Sequence, residues 1–238
     1  MNKNELHMLI EMYSHERSKK NTEALEAFLE NCLKNNPFDT YLWLKLALTV
    51  YHRPLFDDSK AITCLEKILE YDPHNVKITL TLVYMVSNCK FFDEELFERL
   101  CKLQTQDKAL LSLIEYTKSW YYLDEKNDEM YEQCLINSIN LCSEYLWSYV
   151  DLGQFYLQKG NLIKGHELMK EGLKNLEYVF EEKPAKDILN LEEFLNERFK
   201  GIHLGESNYN IILESFDPKS PWITCDFLTK ISKDTTEN

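Results

Sequence analysis

Apolar residues recur along this chain at three- and four-residue steps, in runs separated by polar breaks, which predicts a succession of amphipathic helices. Residues 6–34 read as a helical pair broken near residues 18–21, with Leu25, Phe28, Leu29 and Cys32 on one face of its second member. Asn35-Asn36-Pro37 ends that member, because Pro disfavours helical geometry in the residue before it. Asp39 or Thr40 is placed to cap a helix over 41–51, whose inner stripe is Trp43, Leu46, Ala47 and Val50. His52-Arg53-Pro54 breaks the chain again. Capping oxygens at Asp57-Asp58-Ser59 then start a helix carrying Ala61, Leu65 and Ile68; Asp72-Pro73 closes it and Asn75 caps its successor.

Beyond that, helices are expected over 78–86, 94–103 (capped by Asp93), 109–122 and 129–142, with a polar split at 124–128 and a cap near Ser143. The sharpest local pattern follows. Tyr149, Leu152, Gly153 and Tyr156 share one helical face, and Gly153 lets a second helix come close. Gly160-Asn161 is a helix stop followed by a helix start. Gly165 and Met169 put a notch and a knob on the returning helix. Two antiparallel helices joined by a tight turn result.

This hairpin follows the W-x2-L-G-x2-Y…A-x3-F order with Tyr149 for Trp and Gly165 for Ala, so the chain resembles the tetratricopeptide-repeat family. A second sign is independent of it. Pro37 and Pro73 lie 36 positions apart, with Trp43 and Thr79 six beyond each and Leu46 and Leu82 nine beyond, close to the roughly 34 residues of that family. Trp43-x2-Leu46-Ala47…Ala61-x3-Leu65…Pro73 keeps the family order with a loop about two residues longer. The resemblance implies an all-α, right-handed superhelical solenoid of about five antiparallel helix pairs, the third and fourth being weaker matches.

After Phe180 the character shifts. Residues 185–199 read as one amphipathic helix (Ile188, Leu191, Leu195, Phe199), 209–216 as a strand or short helix, and 222–231 as a short helix opened by Ser220 and Pro221. Solenoids expose an apolar face at each end, so residues 1–180 are expected to form the repeat domain and 181–238 a capping segment packed on it.

Composition narrows the class. With 238 residues, 44% hydrophobic, 13% aromatic, and only 6 Gly and 6 Pro, the chain is expected to be folded and mainly helical. Its 27 basic and 40 acidic residues give a net charge of −13, which disfavours a phosphate backbone as direct partner and favours a basic protein. Seven Cys without a C-x-x-C pair, most in apolar helical windows, fit free thiols in a reducing, cytoplasmic setting. The N-terminus has no apolar signal core and no run is long enough to span a bilayer, so no membrane association is expected.

Catalytic signals are scarce. No Gly precedes Gly153, which excludes a Gly-rich phosphate loop from the first two-thirds. The segment from Gly160 to Gly165 has the two-glycine spacing of a P-loop but not the following Lys and Ser/Thr. His166-Glu167-Leu168-Met169-Lys170 begins like a zinc-protease motif with Lys where the second His belongs, and His7 and His15 lack further ligands. Acidic pairs at Asp57-Asp58 and Glu94-Glu95 sit at helix starts, where the dipole favours them. No catalytic residue, metal or cofactor is called for.

Recognition is the expectation instead. In the family resembled here the first helix of each pair lines a concave groove, which implies partner contacts at Tyr41, Leu44, Leu48 and Tyr51. The matching positions of the next repeat are Lys77, Leu80 and Tyr84, and of the glycine-bearing repeat Trp147, Val150, Gln154 and Leu157. The implied function is non-enzymatic: a groove holding a protein that is basic or presents an apolar segment, as adaptor, chaperone or toxin-neutralising immunity protein. Two alternatives stand beside it. One places an enzymatic or regulatory part in residues 181–238, which hold His203, Asp217, Cys225 and Asp226; the other is self-association through the solenoid ends. A C-terminal segment that fills the groove itself is also compatible with the pattern.

Overall fold

The structure, a computed structural model, describes residues 3–52, 54–89, 92–179 and 189–195. Among them are eleven α-helices and no strand: α1 Lys3–His15, α2 Lys19–Asn35, α3 Thr40–Tyr51, α4 Asp58–Tyr71, α5 Val76–Cys89, α6 Glu94–Cys101, α7 Lys108–Asp124, α8 Asp128–Leu141, α9 Leu146–Gln158, α10 Leu162–Val179 and α11 Leu191–Leu195. The first ten are consecutive pairs, so the all-α helical-repeat architecture is as expected. The segments read at 209–216 and 222–231 lie outside the described residues. The chain divides into two compact units, Met1–Thr105 with Ala185–Leu195, and Gln106–Pro184 with Asn196–Asn238. Helices α1 to α6 and α11 therefore belong to the first, α7 to α10 to the second.

Repetition is visible in the turns. Asn36 and Asp72, 36 positions apart, end α2 and α4 with nearly the same backbone (φ −142°, ψ 74° and φ −134°, ψ 75°), and their N–H groups donate to Cys32 O and Ile68 O. A side-chain pair then fixes each turn with its members exchanged. Asn36 Nδ2 donates to Asp39 Oδ2 at 3.2 Å, whereas Asn75 Nδ2 donates to Asp72 Oδ2 at 2.9 Å. Asp39 caps α3 by accepting from Leu42 N (3.2 Å), and Asn75 accepts from Ile78 N (3.1 Å), satisfying N–H groups that have no partner within the helix. Asp57, Asp93 and Asn161 cap α4, α6 and α10 as expected. The N-cap position of α9 falls two residues beyond the expected Ser143. Tyr145 takes that position without a side-chain cap bond and is 2% exposed.

A second repeated turn has a period of 34. Gly160 lies at φ 77°, and Lys126, 34 positions earlier, at φ 55°. After each, an Asn N–H reaches back one helical turn, Asn127 to Tyr122 O (2.9 Å) and Asn161 to Tyr156 O (2.8 Å), and each Asn then caps the next helix. Helices α7 to α10 are therefore two successive copies of one hairpin.

Close approach in that unit depends on absent side chains. A Cβ on Gly165 would lie 2.7 Å from the Leu157 side chain and 2.9 Å from Gly153 O; one on Gly153 would lie 2.9 Å from Met169 Cγ. The notch and knob expected at Gly165 and Met169 are thus in place. Hydroxyls join the neighbouring helices: Ser112 Oγ to Ser138 O (2.7 Å) and Ser138 Oγ to Ser148 Oγ (2.8 Å), all buried. In the first unit ion pairs link the second helices of successive pairs, Lys60 to Glu26 and Glu30, and Arg99 to Glu66. Cys64 and Cys134 are buried, and burial pushes the Cys64 thiol up to about 12, an unreactive hydrophobe in practice.

Candidate functional site

The first unit holds the best-defined site. Its first helices, α3 and α5, are unusually enclosed: every residue from Lys45 to Tyr51 and from Ile78 to Val83 is buried. A surface helix normally keeps one wet face. Here that face is partly covered by a distant piece of the same chain, residues 189–195.

The fit of this segment is specific. Lys45 Nζ donates to Leu189 O at 2.8 Å in a buried contact. The Phe194 ring meets three rings edge-on, Tyr51 at 5.7 Å, His52 at 6.2 Å and Tyr84 at 5.8 Å, the geometry aromatic quadrupoles prefer. Lys77 pairs with Glu192 at the rim. Asn190 Oδ1 caps α11 by accepting from Glu192 N (2.8 Å) and Glu193 N (3.3 Å). Leu189, Phe194 and Leu195 are almost fully buried.

Magnitudes say how firmly this segment is held. Burying three such side chains stabilises by about 5–9 kcal/mol, and a hydrogen bond from a charged donor adds roughly 1.5–3 kcal/mol. Ordering the backbone of seven residues opposes this by about 7–14 kcal/mol. For the described residues the two sides match within a few kcal/mol.

The candidate contacts fall into four groups. Tyr51, Lys77 and Tyr84 are brought together around α11. Tyr41 stands at the edge, 50% exposed, with Lys45 Nζ 5.4 Å from its ring centre, and Leu44 is half-buried. Leu48 and Leu80 are fully buried. In the second unit Trp147 and Gln154 are half-buried and Val150 is buried, while Leu157 packs against Gly165 of α10. Sequence reasoning passed over Lys45 and His52. A lysine inside the apolar run from Leu42 to Val50 was the available signal, since a buried ammonium must find an acceptor.

Position 45 recurs in α9 as Asp151, six residues beyond the start of its turn as Lys45 is beyond Asp39. Asp151 Oδ2 accepts from Tyr116 OH at 2.9 Å. Burial raises its carboxyl from the ordinary 3.8 to about 6, with the Tyr116 hydrogen bond acting the other way. The Tyr116 and Tyr131 hydroxyls beside it are raised, first by burial and then by the Asp151 charge. Among the described residues no group of three or more His, Cys, Asp or Glu is placed to hold a metal, and no helix is long and apolar enough to cross a membrane.

No family model matches the chain, and no curated protein matches it. Its fold is similar to solved structures of MamA, a TPR-like helical-repeat protein. One MamA crystal structure superposes with a TM-score of 0.55 at 18% identity, covering 68% of this chain and 92% of that one. A second gives 0.54 and 18%, covering 72% and 92%, and a MamA RS-1 double mutant gives 0.56 and 15%, covering 73% and 96%. At these identities the likeness concerns the fold. The molecule has a TPR-like helical-repeat architecture.

Proposed function

We propose that this chain is a non-enzymatic protein-binding module whose working surface is the α3/α5 face of the first unit. The observation that carries this reading is the seated segment. A stretch of polypeptide lies on that face, held by a backbone-directed lysine, an aromatic cluster and a rim ion pair. These are the elements of peptide recognition generally: aromatic anchors in a desolvated pocket, with charges at the edge for orientation. TPR-like architecture supports a scaffold role as well. Adaptor, chaperone and immunity roles all fit such a surface.

Site-directed photo-crosslinking tests the proposal in cells of the source. A photoreactive residue at Tyr41 or Lys77 is expected to capture a discrete protein, and one at Thr63 on α4 is expected to leave it uncaptured. Capture from Tyr41 or Lys77 that is lost when the chain also carries Tyr84→Ala, with helicity unchanged, supports the face. Equal capture at Thr63, or none at Tyr41 and Lys77, contradicts it.

A further inference from the structure

We infer that the α3/α5 face takes short, acidic, amphipathic helical segments of partner proteins, and that residues 189–195 are a built-in occupant such a segment displaces. The inference rests on the protein-binding reading and adds the chemistry of the ligand. The seated stretch shows what the face accepts. Lys45 reads a backbone carbonyl, so it selects a polypeptide without demanding a particular side chain. The cluster of Tyr51, His52 and Tyr84 takes one aromatic ring. Lys77 takes a carboxylate at the second helical position, two residues after an Asn cap.

Charge sets the preference. The whole molecule carries −13, which by itself would draw basic partners. The cations named at this face are Lys45 and Lys77, and a basic side chain in place of Glu192 would set like charges together at the rim. Local charge at a contact outweighs the screened average field. A partner segment with the same pattern and further contacts competes for the position.

The test uses the full-length chain and a fluorescent peptide with the sequence of residues 187–197, read by anisotropy. The Phe194→Ala chain is expected to bind it at least about tenfold tighter than the wild type, because an aromatic anchor of the competing segment is gone. The peptide carrying Glu192→Lys is expected to bind that chain about three- to tenfold more weakly, recovering when the chain also carries Lys77→Glu. Should Phe194→Ala lose its helical circular dichroism, a Glu192→Lys chain makes the comparison, since that side chain is 59% exposed. Equal binding by wild type and the opened chain overturns the built-in occupant. Tighter binding of the Lys-bearing peptide overturns the acidic preference and leaves the protein-binding reading standing. Binding of neither peptide to any chain overturns the inference, and crosslinking at Tyr41 then decides the protein-binding reading separately.

Discussion

Lys45 and Leu189 are 144 positions apart, yet the ammonium of one donates to the carbonyl oxygen of the other at 2.8 Å in a buried contact. Lys45→Met keeps an unbranched side chain one atom shorter and removes the donor. The Leu189 carbonyl is then buried without that partner, at a cost of about 1–3 kcal/mol to the docked segment. Amide exchange over residues 191–195 is expected to accelerate at least about tenfold, as such a loss implies. Exchange in α7 to α10 is expected to stay as it was.

Gly165→Ala and Gly160→Ala separate two uses of glycine. At Gly165 the new methyl meets Leu157 and the Gly153 carbonyl, so overpacking is expected to cost about 2–4 kcal/mol. At Gly160 nothing lies within 4 Å and only the positive φ is strained, for about 1–2 kcal/mol. Urea unfolding checks the order; a larger loss at Gly160 would contradict the close helix approach.

Lys126→Gly is expected to stabilise the second unit by about 1 kcal/mol, since Lys126 holds a φ of 55° that glycine adopts freely. The same denaturation experiment reads it as a rise in midpoint.

Asp151 gives a pH signature. Its carboxyl is raised in the fold, so the folded state holds the proton more tightly than the unfolded chain does. Stability from this group is therefore full below about pH 4, falls as pH rises through about 6, and stays lower above. Because the residue is only half-buried, the loss is expected to be about 1–2 kcal/mol, less than the shift alone implies. Asp151→Asn keeps an acceptor for Tyr116 and is expected to flatten that part of the profile while stabilising at pH 7. Melting curves between pH 4 and 8 measure both.

Much of the fold was legible because its determinants are local. Asp39, Asp57, Asn75, Asp93 and Asn161 cap helices by reaching residues two or three positions on, and the Gly153–Gly165 approach follows from small residues on facing stripes. The 34-residue copy at Lys126 was obscured because lysine stands where glycine marks its twin. Tyr145 was missed at the N-cap position because it makes no side-chain cap bond there. Tyr51, Lys77 and Tyr84, chosen from the repeat register, lie around α11, and a groove filled by the chain itself was among the readings. Of the apolar stripe read over 185–199, Leu195 is buried and Leu191 half-buried, Ile188 and Phe199 lie outside the described residues, and Phe194, which the stripe did not include, is buried. A stripe says that a face is covered and not by what. The pairing of Lys45 with Leu189 is a tertiary choice that no local pattern encodes.

The central claim is that the α3/α5 face holds a polypeptide segment through Phe194. Nuclear Overhauser contacts in protein labelled selectively at Phe and Tyr test it most directly. The account expects cross-peaks from the Phe194 ring to both Tyr51 and Tyr84, at the 5.7 and 5.8 Å centre separations of the structure. A Phe194 ring with random-coil shifts and no contact to either tyrosine would contradict it.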